Sequence, residues 1–299
     1  MKCKTLLFFI FVLVFINDLL SQSVAERYKN FGQIFLPQFS SAPFPHPKRM
    51  DGHNYKNRLF SFQEHYSDSS VTIFVPNGFK PVNSTNIVLY FHGWNNNIDS
   101  ASAQFKLIEQ FSESNKNAVF VFPEGPKNSP DSYGGRLEET DGLKNLIADV
   151  LKFLTEKSIV NSGKIGNIIL AGHSGAYRVI AFCLMQGGVT ENISDVILFD
   201  ALYGQTEKYE NWIENFTGRF INIYTDSGGT KSETEQMMNN FDSLGVSYAH
   251  KEESELSASD LLNNRLIFIH TDLNHTAVIA TRKQFLIYLK TSALPLIKN

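Results

Sequence analysis

Short, nearly continuous apolar runs alternate along this chain with longer stretches whose apolar residues recur every three or four positions. From about residue 61 the runs fall at 71–75, 86–91, 118–122, 165–171, 196–199, 220–224 and 266–270. They are rich in β-branched and aromatic residues and lack a polar face, as strands buried on both sides of a parallel sheet do. Helical spacing fills the gaps. Stretch 101–114 has apolar residues at 105, 107, 108 and 111, and 142–156 carries Leu143, Leu146, Ile147, Val150, Leu151 and Leu154. Further helical patterns lie at 174–185, directly after the fourth run, at 231–244 after the sixth, and at 281–289. Such alternation predicts right-handed crossovers and a three-layer α/β fold with a mostly parallel, doubly wound sheet. Between the fifth and sixth runs there is one short helical pattern, at 209–215, and too little chain for a large lid domain. Residues 26–60 show neither period and hold prolines at 37, 43, 45 and 47, so they are expected to form an extended N-terminal arm on a main domain of residues 61–299.

The beginning of the chain has a different character. Lys2 and Lys4 precede an unbroken apolar run over 6–16, ended by Asn17 and Asp18, and Ser23-Val24-Ala25 offers small residues at the spacing of a signal-peptidase site. We expect residues 1–25 to be a signal peptide cleaved near Ala25, the protein to be secreted or periplasmic, and no stable membrane span to remain; the run falls short of the roughly 20 apolar residues a spanning helix needs. Cys183 is then the last cysteine, set in an apolar stretch and expected to be buried without a disulfide partner. Asn83, Asn192, Asn215 and Asn274 begin glycosylation patterns.

Composition narrows the function. The 299 residues are 42% hydrophobic and 19% charged, ordinary for one globular domain. The net charge of −3, without a long basic run, speaks against a nucleic-acid partner. His46, Asp51 and His53 are loosely spaced and fit no metal motif, and no phosphate loop or dinucleotide fingerprint occurs, so neither metal nor cofactor is expected.

The stretch Ile168-Ile169-Leu170-Ala171-Gly172-His173-Ser174-Gly175-Ala176 carries the clearest chemistry. A buried strand runs into a serine flanked by small residues and then into a helix. A serine there must sit on a sharp turn that exposes its hydroxyl, and Gly172 and Ala176 let that turn approach strand and helix. The free amides and dipole of the helix start would face developing negative charge. Serine at a βα turn can also simply cap a helix, so partners matter. Tyr90-Phe91-His92-Gly93-Trp94 ends the second run, where the amides of Trp94 and Gly175 could together hold an oxyanion, with His92 bonding the loop. Asp226 follows the sixth run and His275 the seventh, giving the order Ser, Asp, His. Imidazole would take the serine's proton and a carboxylate would fix its tautomer. Asp200, at the end of the fifth run, is the alternative acid, and His270 the alternative base. His173 is expected to turn away from the substrate. Trp94, Tyr133, Tyr203 and Trp212 are expected on loops facing the site, Tyr133 and Tyr203 as pocket residues.

Segments 86–94, 117–122, 165–176, 220–226 and 266–276 resemble the α/β-hydrolase superfamily, in order and across most of residues 70 to 290. The whole looks closest to small exported bacterial esterases of the feruloyl-esterase and polyhydroxybutyrate-depolymerase-like kind. The pattern around the serine departs from the superfamily's in one place, with Ala176 in the final small-residue slot. The resemblance implies an α/β-hydrolase fold, Ser174 as nucleophile, His275 as general base and acid, and Asp226 as orienting acid. The expected activity is hydrolysis of a carboxylic ester, on a small-molecule or polymer-borne acyl substrate, through an acyl-enzyme. A peptidase or amidase with the same triad, and a catalytically silent binding protein on this scaffold, are the alternatives.

Overall fold

The computed structural model describes residues 24–298; the expected signal peptide lies outside the described residues but for its last two positions. Eleven strands form among them: β1 (Gly32–Phe35), β2 (His53–Tyr55), β3 (Arg58–Phe60), β4 (Val71–Pro76), β5 (Thr85–Phe91), β6 (Val119–Pro123), β7 (Ile165–His173), β8 (Ile193–Phe199), β9 (Arg219–Thr225), β10 (Ala249–Glu252) and β11 (Leu266–Thr271). Nine of them build one sheet in the order β1-β4-β6-β5-β7-β8-β9-β11-β10. From β6 to β10 the pairing is parallel, while β4 and β1 add an antiparallel edge.

Burial on both faces explains the continuous apolar runs. Along β5, Ile87, Leu89 and Phe91 enter one core and Val88 and Tyr90 the other; along β7, Ile168 and Leu170 part from Ile169 and Ala171 in the same way. The first core is closed by helices Gly142–Glu156, Tyr177–Gln186, Thr206–Asn215 and Lys231–Leu244. The second is closed by Ile98–Phe105, Leu107–Glu113 and Gln284–Lys290. The result is the expected three-layer, doubly wound architecture, and only the helix Thr206–Asn215 stands between β8 and β9. Among the described residues no helix is long and apolar enough to cross a membrane.

Local expectations are adjusted in three places. The helix expected over 101–114 is two helices, broken at Lys106, whose backbone is left-handed (φ 50°). Ser174 to Ala176 form a turn of 3-10 helix before the α-helix begins at Tyr177. The arm is more structured than its sequence suggests. It supplies the edge strand β1 and the hairpin β2–β3, whose turn residues Lys56 and Asn57 are both left-handed, as a tight hairpin requires.

The arm is also clasped to the loop after β6. Phe44 and Phe60 from the arm pack with Tyr66 and Tyr133 in a separate aromatic cluster. Arg49 grips buried Asp131 through two guanidinium bonds of 2.7 and 3.1 Å and lies over the Tyr133 ring at 4.7 Å. His46, buried, faces Glu139 at 3.0 Å and the Tyr133 hydroxyl at 3.1 Å. This loop overhangs the carboxyl rim of the sheet, where the chemistry-bearing residues collect.

Candidate active site

Ser174 sits one residue past β7 with φ 55°, in the left-handed region an L-residue occupies only under constraint. This is the sharp turn expected from the sequence, and it lifts the serine above the strand ends. A side chain at Gly175 has no room: a Cβ there would come within 2.5 Å of the Trp94 ring and 2.9 Å of Ser132 Oγ. Ser174 opens into a pocket of about 420 Å³ lined by Trp94, Ser132, Gly175, Tyr177 and Tyr203.

The carboxylate that meets His275 is Asp200 and not Asp226, the residue preferred from the sequence. His275 Nδ1 lies 2.7 Å from Asp200 Oδ2. The register across the sheet explains the choice. His173 of β7 pairs with Phe199 of β8, so Ser174 and Asp200 leave adjacent strands at the same level. Asp226 leaves β9 one strand farther out and is exposed, paired to Lys231 Nζ at 2.7 Å and His270 Nε2 at 3.2 Å. His270, the alternative base, is thereby committed to a surface cluster with Asp226 and with Glu252 at 2.8 Å.

Asp200 is fully buried and has φ 46°. Beyond the imidazole it accepts the Thr225 hydroxyl at 2.8 Å, the Thr225 amide at 3.3 Å and the Thr230 hydroxyl. Burial alone pushes its pKa up, but the bonds from His275, Thr230 and Thr225 outweigh that and hold it below the usual carboxylate range. The chain must pass tightly over it: a Cβ on Gly228 would collide with Asp200 Oδ2 at 1.7 Å, which restricts that position to glycine.

His275 rides on the loop after β11. Glu253 ties both feet of that loop, accepting Thr271 Oγ1, Arg282 Nη1 and Gln284 Nε2, while Arg282 Nη2 also reaches Asp272 at 2.7 Å. A further prop comes from beside the serine. His173 turns away from the pocket as expected and sits buried, its Nε2–H donating to the His275 carbonyl at 2.9 Å. The two imidazole rings lie 4.5 Å apart. Burial, and then the neighbouring His275, push the His173 pKa down to about 4 and keep it neutral.

With Nδ1–H given to Asp200, the other ring nitrogen of His275 is the acceptor. Among the described residues no hydrogen bond joins it to Ser174; in sites without substrate such bonds are commonly long and tighten in the complex. The Tyr203 hydroxyl donates to the Gly228 carbonyl and lies beside the Ser174 hydroxyl. Burial, the largest influence, raises the Tyr203 pKa to about 12, so the phenol stays protonated.

His92 bonds its loop as expected, with Nδ1 2.7 Å from the Gly93 carbonyl and Nε2 3.0 Å from buried Glu124. Trp94 is exposed over the pocket, its ring edge-on to Tyr55 at 5.3 Å. Of the four aromatics expected on loops facing the site, two are elsewhere. Tyr133 lines a neighbouring cavity of about 20 Å³ under the clasp, and Trp212 is buried in the core of helix Thr206–Asn215. Ser132 and Tyr177 take their place in the pocket. Neither residue carries a motif in the sequence.

No protein-family model and no curated protein sequence matches the chain. Solved structures do. The feruloyl esterase module from Clostridium thermocellum superposes with a TM-score of 0.55 at 11% identity, covering 88% of each chain. A ferulic acid esterase superposes with a TM-score of 0.54 at 11% identity, over 87% of this chain and 98% of its own. The fluorophosphonate-binding serine hydrolase F of Staphylococcus aureus gives 0.52 at 10% identity, over 87% and 98%. With its three layers, its strand order and these likenesses, the chain has the α/β-hydrolase fold.

Proposed function

We propose that this protein is an exported serine hydrolase that cleaves a carboxylic ester through an acyl-enzyme. The observation that carries the reading is the 2.7 Å bond from His275 Nδ1 to a wholly buried carboxylate, Asp200, beside a serine held in a left-handed turn on the next strand. Asp200 fixes the His275 tautomer and steadies its cationic form. Nε2 of His275 takes the Ser174 proton as Oγ attacks the acyl carbonyl. The amides of Trp94 and Gly175 receive the negative charge on the carbonyl oxygen. Collapse expels the alcohol, which takes its proton from His275, and water then repeats the sequence to release the acid and free Ser174.

The small polar serine turn, the open pocket and the absence of a large insertion between β8 and β9 support an acyl group presented from solution or on a polymer. Esterase neighbours on the same fold point the same way. Export rests on Lys2, Lys4, the apolar run 6–16 and the small residues before Glu26.

A fluorophosphonate probe tests the reading. The wild type is expected to be labelled and Ser174→Ala to be inert, and p-nitrophenyl acetate to be hydrolysed in preference to a peptide p-nitroanilide. An unlabelled, folded wild type removes the enzyme assignment, and a preference for the anilide turns it into an amidase.

A further inference from the structure

We propose that Ser132 is a third oxyanion donor, a side-chain hydroxyl working beside the two backbone amides; the proposal rests on the esterase reading above. Ser132 Oγ accepts the indole N–H of Trp94 at 2.7 Å. A hydroxyl offers one proton and two lone pairs. Among the described residues Ser132 Oγ makes no other hydrogen bond, so its proton has no acceptor in the protein. That free donor belongs to a residue lining the same pocket as Ser174 and Gly175. Its oxygen lies 2.9 Å from where a Gly175 Cβ would stand, alongside the amide that follows the nucleophile.

Placement of the hydroxyl is enforced from both sides. Asp131 before it accepts Arg49 through both oxygens, the Tyr66 hydroxyl at 3.2 Å and the Tyr133 amide at 2.9 Å. Tyr133 after it is buried, with its hydroxyl on His46. The Trp94 indole then occupies one lone pair and pins the oxygen, leaving the O–H to swing towards the pocket. A donor fixed in this way needs no reorganisation as charge develops, which is what makes oxyanion donors effective. The N-terminal arm, source of Arg49 and His46, thereby takes part in the chemistry from a distance.

The test measures kcat and KM on p-nitrophenyl acetate, with affinity for phenylboronic acid, whose serine adduct is tetrahedral and anionic. Ser132→Ala is expected to lower kcat by about 10- to 100-fold with KM nearly unchanged, and to weaken phenylboronic acid by a similar factor. Ser132→Thr, which keeps the hydroxyl, is expected to recover most of the rate. Ser132→Cys, near in size and a poor donor, is expected to behave as Ala does and serves if Ala fails to fold. Fluorophosphonate labelling confirms that Ser174 is intact in each variant. A folded Ala or Cys variant with the wild-type kcat overturns the proposal, as does a rise in KM alone, which would make Ser132 a ground-state contact. A wild type that neither takes the probe nor cleaves the ester removes the esterase reading first and this proposal with it.

Discussion

Asp200 follows a strand of seven residues whose last four, Val196 to Phe199, are all fully buried, and it precedes two more buried apolar residues, Ala201 and Leu202. A carboxylate in such a place is tolerable only if it is paired and fully hydrogen-bonded. Four donors do this, and one of them is the imidazole. Asp226 has no such enclosure; it is exposed, in contact with Lys231 and His270. The two acids are therefore separable by isosteric replacement. Asp200→Asn keeps the shape but offers the imidazole an amide, which favours the wrong tautomer, and kcat is expected to fall by about 10³- to 10⁴-fold. Asp226→Asn is expected to leave kcat within about twofold, as a solvent-exposed ion pair has little leverage. Steady-state kinetics on p-nitrophenyl acetate, with circular dichroism to confirm folding, reads both. The reverse pattern would return Asp226 to the triad.

At the level of elements, the loop carrying Ser132 is shaped less by its own sequence than by the arm lying across it. Asp131 is driven up in pKa by burial and brought below its ordinary value by the Arg49 guanidinium and the Tyr133 amide. Arg49→Ala removes the counter-charge and leaves a carboxylate stranded in a buried site. Losing one partner of a fully buried pair costs about 3–5 kcal/mol; Arg49 retains some exposure, so we expect about 2 kcal/mol from urea unfolding. Adding Asp131→Asn should recover part of that loss, because the stranded charge disappears; an additive double variant would mean that the two side chains act independently. Why the arm escaped the sequence reading follows from the same contacts. Its order comes from aromatic and polar partners far along the chain, Arg49 with Asp131 82 residues away and His46 with Glu139 93 residues away, and these leave no local period. The seven central strands were readable because each is buried on both faces and so continuously apolar. The edge strands β1 and β10 were not, being four residues each with partly exposed side chains. Position along the chain put Ser174 and His275 just beyond the two strands that carry them, β7 and β11. It favoured Asp226 over Asp200, because the contact of Asp200 with His275 depends on the pairing of His173 with Phe199 across the sheet, which strand order along the chain does not show.

For the whole molecule, the buried ionisable groups respond to acid in one direction. His173 has its pKa pushed from the ordinary 6.5 down to about 4 by burial. Between those values the unfolded chain binds a proton that the folded one refuses, so stability is complete above pH 6.5 and falls as the pH drops towards 4. A displacement of that size corresponds to about 3 kcal/mol, a large share of the roughly 5–15 kcal/mol that keeps a domain folded. Asp68, Asp131 and Asp200 act in a second stage: burial raises each, their bonds lower each further, and the stability they lend is lost as pH falls through their depressed values. His270 works the other way. Burial lowers its pKa, Glu252 and Asp226 raise it more, and its contribution is present in acid and lost as pH rises, though near the surface it is screened. Urea midpoints are therefore expected to be level from pH 8 to 7, to fall by the equivalent of about 3 kcal/mol by pH 4, and to drop faster below. His173→Gln keeps a donor for the His275 carbonyl and cannot be protonated, so its profile should be flat between pH 6.5 and 4.5 whatever its absolute stability. A wild-type profile as flat as the variant's across that window would mean that the His173 ring accepts its proton in place, and the buried neutral imidazole propping the His275 loop would have to be abandoned.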